Sequence, residues 1–214
     1  MYKLLSLLFK LVLIIIVPFV LLIRLAVYLH TSSNLSPWLC ILASVLMTIL
    51  VIFIYLTIIH SYISDHDNIY NFRRRIIVSI VIVSLYAIHG LFYIKSENMK
   101  SKDLRKEIHK VHPVLRLAAS TLIHLDKELI ITDSDRLPED YKKMGLKSIK
   151  NSLHYTQSTG YSHALDLRTR NRPAWKNMLV QSYFYVMGFQ TLRHTGTADH
   201  LHVSLMSHDR PWAK

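Results

Sequence analysis

The sequence predicts an α+β fold: a small antiparallel sheet with flanking helices, preceded by three transmembrane helices. Three observations predict it. Charge is divided unevenly along the 214 residues, since only Asp65 and Asp67 of the 14 acidic residues, and seven of the 26 basic ones, precede Ser96. That acid-poor stretch carries three long apolar runs. The remaining residues, about 118, mix helix-type and strand-type periodicity without regular alternation, which favours α+β over α/β. They are enough to bury a core of their own. The organisation expected is a membrane section over residues 1–95, a charged linker over 96–112 and a soluble domain over 113–214.

The first apolar run, about 4–29, is interrupted only by Lys10 and Arg24 and contains Pro18. The second, about 38–63, has no charge, and the third, about 76–94, is rich in Ile and Val. A helix needs about 20 apolar residues to cross the hydrocarbon core, and each run is near or above that. Proline inside such a helix is tolerated in a bilayer. A cleaved signal peptide is the rival reading of the first run. His30-Thr31-Ser32-Ser33 offers no small-residue cleavage pattern, which argues against it.

Short-loop charge sets the orientation. Lys3 and Lys10 flank the start, the loop around 30–37 has no Lys or Arg, and the next loop ends in Arg73-Arg74-Arg75. The positive-inside rule puts the N-terminus and the arginines in the cytoplasm. Three crossings then leave the soluble domain outside. Nucleic acid is excluded as a partner, because the basic residues are scattered and the domain is extracytoplasmic. The single Cys40 lies in an apolar run, so neither a disulfide framework nor a cysteine zinc site is available.

In the soluble half, Lys95–Lys110 is charged and shows no apolar stripe, so a stalk or exposed helix is expected. Pro113 suits a first helical turn, and Leu115, Ala118, Leu122 and Leu125 recur at helical spacing. Glu128–Thr132 is a β-branched run, expected as a strand. Asp133–Asn151 is polar, with Pro138 and Gly145, and is expected as a long loop. Ala164–Arg168 alternates as a strand does. Pro173 opens a second helix with Trp175, Met178, Leu179, Phe184 and Met187 for its buried face, ended by Gly188. Phe189–Leu192 and His200–Leu205 complete the strands.

Nine of the 13 histidines follow Ser96. The period of two puts Leu165 and Leu167 on one face and Asp166 and Arg168 on the other. It likewise separates Leu201, Val203 and Leu205 from His200, His202 and Ser204. Two imidazoles on one strand face plus a carboxylate on another are what an open zinc site needs, with one position left for water. Asp199, three residues before His202, is the type of group that takes a proton from such a water and returns it to a leaving amine.

These residues resemble a family. Ser152-Leu153-His154, Gly160 and Ala164-Leu165-Asp166-Leu167-Arg168, followed by Asp199-His200-Leu201-His202, are similar to the signature of the D-Ala-D-Ala carboxypeptidase and L-alanyl-D-glutamate endopeptidase group of zinc peptidases. That group has the hedgehog/DD-peptidase-like fold and is related to lysostaphin-like enzymes. The resemblance implies His154, Asp166 and His202 as ligands of Zn2+, Asp199 as catalytic acid/base and His200 as a supporting or transition-state group. Ile131–Arg136 is similar to an upstream stretch of the family and implies Arg136 at a substrate carboxylate or the oxyanion. It covers about 128–205 and none of the membrane section. His154 and Asp166 are twelve residues apart, more than the family pattern has, so Thr156–Ser162 must loop out around Gly160. His163 is the rival to His154, although it shares strand parity with Leu165 and Leu167.

The expected function is a membrane-anchored zinc peptidase acting on peptidoglycan stem peptides outside the cytoplasmic membrane, as carboxypeptidase or endopeptidase, with the lipid bilayer as its other partner. Two alternatives stand beside it: a catalytically impaired binding protein of the same fold, and a phage-type lysis protein. Geometry discriminates the first. Ligand atoms of His154, Asp166 and His202 more than about 6 Å apart cannot share one ion.

Overall fold

The computed structural model describes residues 2–63, 69–136, 139, 145, 151–196 and 199–213. Three helices come first, α1 (Tyr2–Ser32), α2 (Pro37–Ile63) and α3 (Ile69–Phe92). The assigned helix continues through Pro18. Hydroxyls of Ser44, Thr48 and Ser79 donate to the carbonyl one turn back, at 2.7, 2.7 and 2.8 Å. That is where a hydroxyl goes when its surroundings are apolar. Among the described residues two helices are long and apolar enough to cross a membrane, Pro37–Ser61 and Ile69–Phe92, against the three expected. α1 contributes a shorter apolar stretch, Ile16–Ser32. No helix breaker separates Ile69 from Arg75, so the arginines expected in a loop lie on the first two turns of α3. Asp65 and Asp67 lie outside the described residues.

The expected charged linker at 96–112 is folded. A 3-10 turn, Ser96–Asn98, precedes α4 (Lys102–Glu107), and another, Ile108–Lys110, follows it. Ser101 Oγ caps α4 by accepting from Leu104 N at 3.2 Å. Leu104, Ile108 and Val111 are buried. They form a helical stripe too short to stand out among so many charges.

α5 (Pro113–Leu125) starts at the proline, as expected. It is buried from Pro113 to Ser120 because it packs against α1, α2 and α3 and against the helix Ala174–Met187. Gly90 of α3 makes room for Leu117, whose Cδ1 a Cβ at position 90 would overlap. Tyr86 Oη and Thr121 Oγ1 are 2.6 Å apart, and Tyr183 Oη donates to Ala118 O at 2.9 Å. Leu125, expected on the buried stripe, is exposed at the helix end. One apolar core therefore runs from Leu22 and Val83 through Leu115 to Leu165 and Val203.

The sheet has four antiparallel strands, β1 (Ile131–Asp133), β2 (Ala164–Arg168), β3 (Gln190–His194) and β4 (His200–Ser204), in the order β1-β2-β4-β3. β1 starts later than the β-branched run predicts. Asn98 Nδ2 takes the carbonyls of Lys127 and Leu129 at 2.8 Å each, and Leu129 N bonds Asp126 O at 3.1 Å. Those groups are spent on a turn and cannot join the ladder. Of the long loop expected at Asp133–Asn151, Ser134–Arg136 follow β1 directly, while Pro138 lies outside the described residues.

α6 (Ala174–Met187) follows Pro173 and ends at Gly188. It buries Asn177, Val180, Phe184 and Met187. Trp175, Met178 and Leu179, expected on that face, are exposed, as is Trp212. The 3.6-residue period allows one such face, and positions 177, 180, 184 and 187 define it.

The C-terminal end of α1, the N-terminal end of α2 and the C-terminal end of α3 all meet the soluble domain. His30 Nε2 bonds Met206 O, Trp38 Nε1 donates to Tyr161 Oη, and Ser120 Oγ donates to Tyr93 O, each at 3.0 Å.

Candidate metal centre

Asp166 is the middle residue of β2. Antiparallel pairing sets it opposite His202 of β4 and beside Asp133 of β1. Alternation sends Leu165, Leu167, Leu201 and Val203 to the core, all buried, and leaves Asp166, His200 and His202 on the other face. His154 arrives from the segment ahead of β2. Its Nδ1 donates to Ser134 O at 2.7 Å, while Arg136 N donates to His154 O at 3.1 Å. A carbonyl only accepts, so Nδ1 carries the proton and Nε2 presents its lone pair.

Three donor atoms converge. His202 Nδ1 lies 2.9 Å from Asp166 Oδ1 and 3.2 Å from His154 Nε2, and the last two are 3.3 Å apart. Bonds of about 2.0–2.1 Å at tetrahedral angles would place ligand atoms about 3.3 Å apart. The three atoms are spaced as corners of such a site, and their residues are buried. Nitrogen and carboxylate lone pairs this close need a proton or a cation among them. His202 Nε2 is also buried without a hydrogen-bond partner among the described residues. Two imidazoles and a carboxylate can hold a metal ion, and their donor types suit Zn2+.

Burial pushes the Asp166 carboxyl up, but the imidazoles of His154 and His202 beside it outweigh that and hold it well below its usual range. Its second oxygen, Oδ2, accepts from Arg136 Nη2 at 2.8 Å. Arg136 Nε also reaches Asp133 Oδ2 at 2.7 Å. Arg136, expected at a substrate carboxylate or oxyanion, thus ties Asp166 to β1.

His200 is at the site. Its Nε2 is 3.7 Å from Asp166 Oδ2, and its ring stacks on His194 with centroids 4.7 Å apart. His194, which the sequence leaves free to line the cleft without requiring it, is at the site. Burial, then the charges of His200 and His202, push it below the ordinary imidazole value. Extending the β3 alternation two residues past Leu192 would have placed it opposite His200.

Asp199 is not brought to the triangle. Arg193 donates to it twice at 2.8 Å, and Thr169 Oγ1 once at 2.8 Å. Arg193's bonds, above all, hold its carboxyl below the usual range. Asp199 has the parity of Leu201 and Val203, so it leaves β4 on the side away from His202.

The extra length between His154 and Asp166 closes on itself. Gln157 N donates to Tyr161 O, and Gly160 N to Gln157 O, each at 2.9 Å, with Gly160 at φ 80°. His163 lies elsewhere, fully buried, with Nε2 2.8 Å from Thr159 Oγ1 and Nδ1 3.2 Å from Met206 O. Its parity carries it to the opposite side of β2 from Asp166, which leaves His154 as the third donor. Comparison with protein-family models, curated proteins and solved structures found no match, so the reading of the centre rests on its own geometry.

Proposed function

We propose that the protein is a membrane-anchored, zinc-dependent peptidase that hydrolyses amide bonds of peptidoglycan stem peptides. The observation that carries the reading is the buried triangle of His154 Nε2, Asp166 Oδ1 and His202 Nδ1, with edges of 2.9–3.3 Å. The substrate class comes from the resemblance of the surrounding residues to the D-Ala-D-Ala carboxypeptidase and L-alanyl-D-glutamate endopeptidase group.

His154, Asp166 and His202 would hold the ion and leave a fourth position open. Bound Zn2+ supplies Lewis acidity, which polarises a carbonyl and acidifies water. Arg136 fixes Asp166 so that Oδ1 faces the triangle. We assign proton transfer to His200 Nε2, because His200 is on the same face of β4 as His202. It takes the proton of the attacking water and returns it to the leaving amine. The stacked His194 restrains the His200 ring. Asp199, expected in the proton-transfer role, is engaged by Arg193 and Thr169 and braces the entry to β4.

α1, α2 and α3 cross the bilayer in this reading, with the N-terminus cytoplasmic and the sheet domain outside. α1 has 31 residues, which at about 1.5 Å each exceed a hydrocarbon core of about 30 Å. Leu42, Leu46 and Leu50 of α2 and Ile77, Val81 and Leu85 of α3 are exposed, as lipid-facing residues are. Arg73–Arg75 lie at the end of α3 away from the domain.

The test uses the full chain in detergent micelles. Metal is counted per chain, and digestion of purified peptidoglycan is followed by chromatography and mass spectrometry, with His202→Ala alongside. Cleaved stem peptides and zinc bound at the triangle are expected in the wild type, and His202→Ala should lose cleavage together with one zinc per chain. Equal cleavage by His202→Ala, or no cleavage by zinc-loaded wild type, overturns the proposal.

A further inference from the structure

A second group of imidazoles lies where the three helices meet the domain. We propose that His30, His112 and His163 form a second divalent metal site, structural in purpose, that takes Zn2+ or a similar nitrogen-preferring ion and fastens α1 to the soluble domain. This inference is independent of the catalytic reading.

One ligand atom from each residue lies within 4.8 Å of the others. The residues are 1%, 0% and 0% exposed, so the site is closed to solvent. Ring centroids are 4.5 Å apart for His30 and His112, 4.7 Å for His112 and His163, and 5.3 Å for His30 and His163. The hydrogen bonds set the lone pairs. His30 Nε2 donates to Met206 O at 3.0 Å, so its Nδ1 is basic. His163 Nδ1 donates to the same carbonyl at 3.2 Å, so its Nε2 is basic; it accepts from Thr159 Oγ1 at 2.8 Å, a bond the ion would replace. His30 Nδ1 and His112 Nε2 are buried without a hydrogen-bond partner among the described residues.

Buried polar atoms are normally satisfied, and two orphans within one closed cluster point to a missing ligand. Coordination through His112 Nε2 moves its proton to Nδ1 and gives up the long 3.3 Å bond from Val114 N. The imidazoles carry no charge, but Asp209, held on Ser158, acts on His163 and supplies negative charge nearby. Neutral imidazoles suit zinc and its late first-row neighbours and disfavour magnesium and calcium.

Each ligand comes from a different part of the chain. His30 ends α1, His112 caps α5 and His163 leads into β2. An ion shared by the three ties a membrane helix to both layers of the domain.

The full chain in detergent is stripped with chelator, reloaded with Zn2+, and its metal counted per chain. Two equivalents are expected for wild type, one for His202→Ala, one for His112→Gln and none for the double variant. His30→Gln and His163→Gln repeat the His112→Gln result where that protein folds poorly, judged by its metal-free melting temperature. Zn2+ should also raise the melting temperature of His202→Ala but not of the double variant. A His202→Ala protein that binds no metal, or whose remaining ion survives His112→Gln, overturns the proposal. A wild type that binds a single ion, kept in His202→Ala and lost in His112→Gln, counts against the catalytic reading and leaves this one standing.

Discussion

Gly188→Ala measures how firmly the domain is seated on α1. Gly188 ends α6 at φ 95°, in the left-handed region, where its N–H bonds the last turn of the helix. Alanine there costs about 1–2 kcal/mol in backbone strain alone. A Cβ at 188 would also overlap Nη1 of Arg24 and come within 3.0 Å of Val27 Cγ1, both on α1. The Arg24 guanidinium can swing aside, so the added cost of about 1–3 kcal/mol comes from crowding the buried, β-branched Val27. Gly160 separates the two effects, because its φ is 80° and a Cβ there meets nothing within 4 Å. Gly160→Ala should therefore lower the melting temperature by about 2–8 °C, taking about 2–4 °C per kcal/mol for a chain of this size. Gly188→Ala should lower it further, for a total cost of about 2–5 kcal/mol. Both are read by thermal unfolding of the full chain in one detergent. If Gly188→Ala costs no more than Gly160→Ala, α6 does not bear on α1 and the close junction is refuted.

Removing the proposed proton carrier by His200→Ala should lower kcat for stem-peptide cleavage by about 10²–10⁴-fold, with bound metal retained. Asp199→Asn should lower it by less than about tenfold, and the reverse order would return proton transfer to Asp199. The metal-free protein should lose stability in acid. His163 titrates near 4 when folded and at 6.5 when unfolded, so the unfolded chain binds the extra proton. Stability is full above 6.5 and is lost as pH falls toward 4, by about 2 kcal/mol between pH 7 and pH 5. His163→Gln should flatten that slope in chelator-treated samples, and an unchanged slope would contradict it. A chain starting at Glu97 loses the partners of Leu117, Thr121 and Ser120 on α3 and beyond. It should bind a hydrophobic dye and melt below the full chain, whereas a fragment as stable as the full chain would show that α5 does not need α3.

Much of the centre was legible because it lies on strands. A period of two is visible in five residues, and it placed His200 and His202 on the polar face of one strand and Asp166 on the polar face of another before any pairing was known. The ladder then set Asp166 opposite His202. His154 carries no such signal. It sits in an irregular segment held by Ser134 O and Arg136 N, so it came from the resemblance alone. Asp199 shows the limit of spacing arguments, since three residues before His202 is also the opposite parity. The helical runs were legible from composition. Their relation to the domain was not, because α5 is apolar on faces that a domain standing alone would leave wet. Nor was the cluster of His30, His112 and His163, whose members are 133 positions apart at the extremes and share no element.

The two histidine clusters are joined by one pair of strands. β2 starts where β4 ends, with Ala164 paired to Ser204, so His163 and Met206 emerge together at the same end of the sheet. That end faces the helices, because Met206 O accepts from both His30 and His163. Asp166 and His202 are two residues in from the paired ends Ala164 and Ser204, about 7 Å at the usual rise per residue. The candidate centre is therefore close to the helix ends. A stalk at 96–112 would have let the domain range outward from the membrane. The buried Leu104 and Ile108 and the capped α4 remove that freedom. On the proposed topology the centre works near the outer surface of the bilayer, and a substrate must come to it there. An insertion of flexible residues between Tyr93 and Met99 should not extend its reach, because α5 and the junction histidines, rather than the linker, hold the domain in place.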